Sequence, residues 1–298
     1  MARGAGQGRG GGAGPSRGTG AGGNAAFGFA TQAHERVDID ACIALSAQLQ
    51  SEVAWLRRDA GVPGLGLRFF TPGGEIAFCG HGVLASAAWL DAFDGEQASH
   101  VFEVSGALVS VERDSAGRWF YLQEEGGSEP VDLWLLDDAL RALGLTHTDA
   151  LRTGGAKLAR TVGAPREKLL LELPDPLLLG RIELDPARRD ALCERLGTTG
   201  IYAFAVKDRE QPRLAARHFA IRVGTQEDMA TGSVAPTVVR HAGLSGESGD
   251  VVIDQGGPGC NNARLFVSAA MFGTARRVAG ECVIGPQAPL VGIVSTAP

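Results

Sequence analysis

The sequence predicts an α+β protein of two similar domains, each a curled mixed β-sheet around a central helix. Three observations carry that prediction. One device occurs twice: a strand-like segment, a loop, a glycine, then an apolar helix rich in alanine and valine. The first copy runs from Leu67-Arg68-Phe69-Phe70 to Phe78-Cys79-Gly80-His81-Gly82-Val83-Leu84-Ala85. The second runs from Ala216-Arg217-His218-Phe219 to Glu227-Asp228-Met229-Ala230-Thr231-Gly232-Ser233. A length of 298 residues suits two domains at roughly 150 residues each. Finally, the helix after His81 carries Leu84, Ala88 and Trp89 among alanines. It is apolar on most sides, which suits a helix wrapped by sheet better than one lying on a surface.

Composition narrows the function classes. Hydrophobic residues make up 44% and charged residues 21%, a balance that allows real cores. A net charge of -6 gives no electrostatic reason to expect nucleic acid or a membrane surface. No apolar run approaches the ~20 residues of a bilayer span. The start lacks the apolar segment of a signal peptide, so a cytoplasmic location is expected. The five cysteines (Cys42, Cys79, Cys193, Cys260 and Cys282) are odd in number and scattered, with no close C-x-x-C pair. The six histidines form no H-x-x-x-H pattern. Neither a disulfide framework nor a metal site is expected.

Along the chain, residues 1–23 are nearly half glycine, with Arg3, Arg9 and Arg17 and almost nothing apolar. Such a segment buries too little to offset ordering and reads as a disordered tail. Structure is expected from Asn24-Ala25-Ala26-Phe27. Asp38 or Asp40 offers an N-cap to a helix through Cys42, Leu45 and Leu49. Strand-like 53–56 and 65–70 lead to the first device, and short strands at 100–104, 108–112 and 119–123 follow it. Gly126-Gly127-Ser128-Glu129-Pro130 reads as a boundary, which gives a first domain of 24–126 and a second of 127–298, the last residues being candidates to complete the first. The second half repeats the pattern: a helix over 135–143, a strand at 169–173, a helix over 186–196, a strand at 201–206, then the second device. Pro236 is tolerated in the first turn of the helix that follows it, and strands at 251–254, 264–270 and 277–284 close the chain.

A helix N-terminus presents unpaired N–H groups and the positive end of the macrodipole, so two such ends facing each other would grip a carboxylate. Singly, the polar residues nearby all have bland readings. Glu52 reads as a solvated glutamate, Asp228 as an acidic residue near a helix start, and His81 as a cap or a satisfied buried histidine. Cys79 reads as a small buried hydrophobe and Ser233 as a plain N-cap. Together they point to proton transfer. Fixing a carboxylate orients the adjacent carbon, and a desolvated carboxylate base with a second acid/base group can then move a proton on it. No cofactor or metal is required if the substrate carries its own conjugation.

These motifs resemble a known family. Thr71-Pro72, Glu75, Cys79-Gly80-His81-Gly82 and Leu84-Ala85 are similar to the "tP..E...CGHAT.A" motif of the phenazine-biosynthesis PhzF-like proteins. Glu227-Asp228-Met229-Ala230-Thr231-Gly232-Ser233 resembles their "EDPATGS". Ser51-Glu52 resembles their "SET", Gly23-Asn24-Ala25-Ala26 their "GNPAAV", and Val278-Ala279-Gly280 a late "VGG". The chain departs from the pattern at Ala25 and Met229, each in place of a proline, and at Gly259-Cys260-Asn261-Asn262-Ala263-Arg264. The resemblance implies a diaminopimelate-epimerase-like fold, a site between the domains, a homodimer and cofactor-free isomerisation of a small biosynthetic carboxylate. It implies Glu52 as the general base/acid, with His81 and Asp228 holding substrate and assisting transfer. It implies substrate binding by Asn24, Gly80, Gly82, Thr231, Gly232 and Ser233.

Two rivals differ in class. A proline-racemase-type epimerase shares the look of Cys79-Gly80-His81-Gly82, but it needs a second thiol where Ala230, Thr231 and Gly232 stand. A non-catalytic protein that binds a small carboxylate needs the helix ends but not all of Glu52, His81 and Asp228.

Overall fold

A computed structural model of the chain describes residues 9–13, 26–32, 35–49, 51–58, 65–95, 97–151, 155–163, 166–221, 226–245, 249–257, 263–285, 287–289 and 294–296. The chain divides into two compact units, one built from 25–121 with both ends of the chain, the other from 122–280. In this division the described residues from Glu281 onward go with the first unit, and the cut falls between Tyr121 and Leu122, within the strand that ends it.

The first unit opens with β1 (Arg9–Ala13) and β2 (Ala26–Gln32). The expectation of a tail throughout 1–23 is corrected at β1, which pairs antiparallel with β2 and with the strand Gln287–Pro289. Backbone pairing needs no side chains, so a glycine run can add to an open sheet edge. Next come β3 (Glu35–Val37), α1 (Ile39–Leu49), β4 (Glu52–Arg58), β5 (Leu65–Thr71), β6 (Gly74–Ile76), α2 (Gly80–Asp94), β7 (Ser99–Val104), β8 (Ala107–Arg113) and β9 (Trp119–Glu124). Asp38 caps α1, its Oδ1 accepting the Ala41 N–H at 3.1 Å. Two helical crossovers set the parallel pairings of the sheet: α1 carries the chain from β2 to β4, and α2 from β5 to β7. The remaining pairings, β4–β5, β5–β6, β7–β8 and β8–β9, are antiparallel.

Alternation along the strands sorts the side chains between two faces. Phe29, Val53, Trp55 and Phe70 pack with Cys42 of α1. Ala26, Gly28, Ala54 and Leu56 share a crevice with Ala85, Ser86 and Trp89 of α2. Glu52, two residues before Ala54, belongs to the α2 face.

The second unit holds β10 (Gly127–Pro130), α3 (Leu133–Ala142), α4 (His147–Leu151), β11 (Lys157–Val162), β12 (Leu169–Glu172), α5 (Pro186–Leu196), β13 (Gly200–Asp208) and β14 (Arg213–Ala220). It continues with a 3₁₀ turn at Gly232–Val234, α6 (Ala235–His241), β15 (Asp250–Gln255), β16 (Ala263–Ser268) and β17 (Ala275–Gly280). The segment read as a boundary is the strand β10, paired with β11. Its Pro130 ends an edge strand, where no ladder donor is needed. Here too the parallel pairs are helical crossovers, β12 to β13 through α5 and β14 to β15 through α6. Leu135, Ala139, Leu140, Leu192 and Cys193 from α3 and α5 bury one face of β13 with Ile201, Ala203 and Ala205. Tyr202 and Phe204 turn to the other face. Among the described residues, no helix is long and apolar enough to cross a membrane.

The two units repeat one another. β2-α1-β4-β5-α2-β7-β8 has the same succession and the same parallel and antiparallel pairings as β12-α5-β13-β14-α6-β15-β16.

Candidate active site

Glu52 is placed by its neighbours on the chain. The Ser46 hydroxyl donates to the Ser51 carbonyl at 2.6 Å, and the Ser51 N–H returns to the Ser46 carbonyl at 3.2 Å. This closes α1 directly onto β4, whose first residue is Glu52. Cys79 is the N-cap residue of α2, with extended backbone and no side-chain capping bond. Its carbonyl accepts the Val83 N–H at 2.9 Å, while its thiol turns to His81 in the first turn. Sγ lies 3.5 Å from His81 Nδ1 and 3.4 Å from Nε2. His81 Nε2 lies 3.2 Å from Glu52 Oε2. Burial opposes a charge on His81, but Cys79 and Glu52 outweigh it and hold the imidazole well above its ordinary pKa. The contact with Glu52 thus favours a proton on the imidazole.

Gly80 and Gly82 are required by close approach. A Cβ on Gly80 would fall 2.3 Å from the Tyr121 hydroxyl, and one on Gly82 would fall 2.6 Å from the Phe69 ring. The Tyr121 hydroxyl is buried with no hydrogen-bond partner among the described residues. Burial, then the nearby Cys79, pushes its pKa up.

In the second unit Asp228 sits on a loop laid back across β14. Its N–H donates to the His218 carbonyl at 2.9 Å. Just before it, Glu227 takes a two-pronged bond from Arg217, Nε to Oε1 at 2.8 Å and Nη2 to Oε2 at 2.7 Å. The Thr231 hydroxyl lies 2.8 Å from Asp228 Oδ2, 2.8 Å from His218 Nδ1 and 2.9 Å from Gln255 Nε2. One hydroxyl has one proton, and only the carboxylate must accept. Thr231 therefore donates to Asp228 and accepts from Gln255 and from His218 Nδ1–H. His218 is fixed as the Nδ1–H tautomer, and its buried Nε2 is left without a partner among the described residues. Burial first, with Lys168 and Arg166 adding to it, pulls His218 down to about 4 against the pull of Asp228. Gln255 completes the network: its Nε2 also donates to the Asp228 carbonyl at 2.6 Å, and its Oε1 accepts from the Tyr202 hydroxyl at 3.1 Å and the Thr231 N–H at 3.2 Å.

The structure thus brings Glu52, Gly80, His81 and Gly82 together in the first unit, and Asp228, Thr231, Gly232 and Ser233 together in the second. Asn24 lies outside the described residues. Ser233 is no N-cap; it stands inside the 3₁₀ turn, and Val234 precedes α6. Thr231, expected to meet substrate, gives its hydroxyl proton to Asp228. Sequence reasoning set Cys79 aside and missed Tyr121, Tyr202, His218, Gln255 and Cys282. Burial pushes the Cys282 thiol up to about 11, against the charge of His81. Tyr202 and Tyr121 sit in apolar alternation like any core aromatic, and only their neighbours across the sheet mark them out.

A doubled unit of mixed sheet and helix is the fold of the epimerase-like proteins. Residues 21–284 match the family model of phenazine biosynthesis-like proteins (PhzC-PhzF), and the chain belongs to that family. It is 34% identical over 178 residues to an uncharacterized isomerase of Deinococcus radiodurans, covering 57% of this chain and 56% of the relative. The chain thus spans little more than half the length of that curated relative. Its fold is similar to that of a PhzF-family phenazine biosynthesis protein of Bacillus anthracis (TM-score 0.74, 15% identity, 96% of this chain and 98% of the other). It is also similar to that of a Pseudomonas aeruginosa protein described as a predicted epimerase (TM-score 0.71, 21% identity, 96% and 99%).

Proposed function

We propose that this chain is a cofactor-independent isomerase that moves a proton on a small carboxylate-bearing metabolite. The observation that carries the reading is the Glu52–His81 pair at 3.2 Å beside the start of α2. A carboxylate and an imidazolium in direct contact are an acid and a base already matched, and the helix start beside them offers N–H donors to an anion. Glu52 takes the proton from the substrate carbon and returns it one or more atoms away. His81 stabilises the Glu52 carboxylate and follows the proton as it moves. Backbone N–H groups at Gly80 and Gly82 hold the substrate carboxylate, and Asp228, its carboxylate held by the Thr231 hydroxyl and the Ala230 N–H, is the further acid/base group. The family membership and the name of the Deinococcus relative support isomerisation. Homodimerisation belongs to the same proposal.

Deuterium uptake from D2O, read by NMR over a panel of unsaturated hydroxy- and amino-carboxylates that includes dihydro-hydroxyanthranilate, tests the reading. Wild type should exchange at least one member. Glu52→Gln should lose at least about 100-fold in exchange rate while ligand affinity stays within a few-fold. Tight binding without exchange in wild type would instead favour the non-catalytic carboxylate binder.

A further inference from the structure

Glu52 and the Cys79-Gly80-His81 motif come from two places in the sequence and supply one oxygen, one sulfur and one nitrogen, all within 4.8 Å of one another. Spacing along the chain gives no hint of this, since Glu52 reaches the pair only through the fold. We infer that these three side chains form a binding site for a zinc-class divalent cation, with three protein ligands and one open position.

The donor set is the first argument. Thiolate, imidazole and carboxylate are the ligands that zinc takes, and three of them with a free fourth position is the pattern of an open site. A thiolate and a carboxylate together also offset the two charges of the cation around a neutral imidazole.

The spacing is the second. Tetrahedral zinc, with bonds of about 2.0 Å to nitrogen and oxygen and about 2.3 Å to sulfur, sets its N and O ligands about 3.3 Å apart and its N and S ligands about 3.5 Å apart. The corresponding separations here are 3.2 Å for His81 Nε2 to Glu52 Oε2 and 3.4 Å for His81 Nε2 to Cys79 Sγ. Sγ is nearly as close to Nδ1, at 3.5 Å, so cation binding requires a turn of the ring about its soft second torsion to aim the Nε2 lone pair. Cys79 is free to serve, since its side chain makes no capping bond. Gly82 leaves the room: a Cβ there would stand 3.0 Å from the sulfur.

The cation and the proton use the same lone pairs on Glu52 and His81. Metal binding itself stands apart from the isomerase reading. Its consequence, that an occupied site blocks proton transfer, rests on that reading.

The test is titration of the full-length, reduced, metal-stripped protein with Co2+, followed by displacement with Zn2+. One equivalent of Co2+ should produce thiolate-to-cobalt charge-transfer absorption, and Zn2+ should bleach it. Cys79→Ser should abolish the charge-transfer band. Glu52→Gln and His81→Gln, with circular dichroism unchanged, should each weaken Zn2+ at least about tenfold. No band in wild type, a band retained in Cys79→Ser, or unaltered Zn2+ affinity in both other variants would overturn the site. Metal binding without any deuterium exchange by the metal-free wild type would keep the site and remove the isomerase.

Discussion

At the scale of single residues, two glycines leave the space that neighbouring polar side chains occupy. Gly82 lets the Phe69 ring and the Cys79 sulfur close over the first turn of α2. Gly82→Ala forces a methyl group to 2.6 Å from that ring, and overpacking of this kind costs about 1–3 kcal/mol. The loss should appear as a lower urea midpoint at unchanged slope. An unchanged midpoint would mean that the helix start has slack, which the contacts deny. His218 shows the opposite kind of constraint. A Cβ on Gly200 would meet His218 Nε2 at 2.8 Å, so a residue without a side chain opposite it is what leaves the imidazole room to serve Asp228. None of this was legible in the sequence. A glycine before a helix announces a turn, but the side chain that fills its missing Cβ belongs to a distant strand. Glu52 was legible only through the family motif, since a glutamate at the start of a strand is otherwise a surface residue.

At the scale of elements, the repeat explains why the device occurs twice. Val53 pairs with Phe70 as Ile201 pairs with Phe219. Glu52 then corresponds to Gly200, Phe69 to His218 and Arg68 to Arg217. Both arginines fork onto a glutamate that lies between their strand and the helix, Arg68 to Glu75 of β6 and Arg217 to Glu227 of the loop before Asp228. Counting on from Phe70 and Phe219 gives Cys79 the position that Asp228 takes in the second copy. One frame therefore carries different side chains in its two copies: a glutamate with a thiol and an imidazole in the first, an oriented carboxylate in the second. Arg217→Ala removes the fork and the bonds of Nη1 to the carbonyls of Leu179 and Ile182, leaving a mostly buried Glu227. A loss of about 2–3 kcal/mol is expected, short of a fully buried pair because both side chains keep some solvent. Hydrogen exchange at the Asp228 amide should speed up in step. Arg217→Lys should restore less than half, because an ammonium cannot make both prongs. Wild-type exchange at Asp228 in either variant would dismiss the clamp. The elements themselves were mostly readable: the helices over 39–49, 80–94 and 186–196 follow from apolar patterning and caps. β10 and β11 were not, because Gly127–Pro130 carries turn residues and only its pairing with β11 makes it a strand.

For the molecule as a whole, the buried cationic side chains of the second unit set how stability follows pH. Lys168 is 1% exposed, its Nζ donating to Thr199 Oγ1 at 2.7 Å and to the Arg166 carbonyl at 3.2 Å. Burial first, then Arg166, pulls its pKa down to about 7, against Asp228 and Cys193. Between pH 7 and 10.5 the unfolded chain therefore binds a proton that the folded chain has released. Where the unfolded state holds more protons, stability rises with pH, by about 1.4 kcal/mol per pH unit for one group. His218 adds a second window: with its folded pKa near 4 against 6.5, stability falls as pH drops from 6.5 toward 4, by on the order of 3 kcal/mol in all. Lys168→Met separates the two. The methionine fills the same stem without a charge to desolvate, and Thr199 keeps its own bond to the Glu167 carbonyl at 3.0 Å. The variant should be more stable than wild type at pH 7, and its advantage should shrink by about 1.4 kcal/mol per unit up to pH 9, while the acid window of His218 persists. Urea unfolding of both proteins from pH 4 to 9 measures this. A difference that does not vary with pH would show that Lys168 keeps its proton in the fold. The cost of burying it would then be met by the pull of Asp228, which would make Lys168 a charged partner of the site.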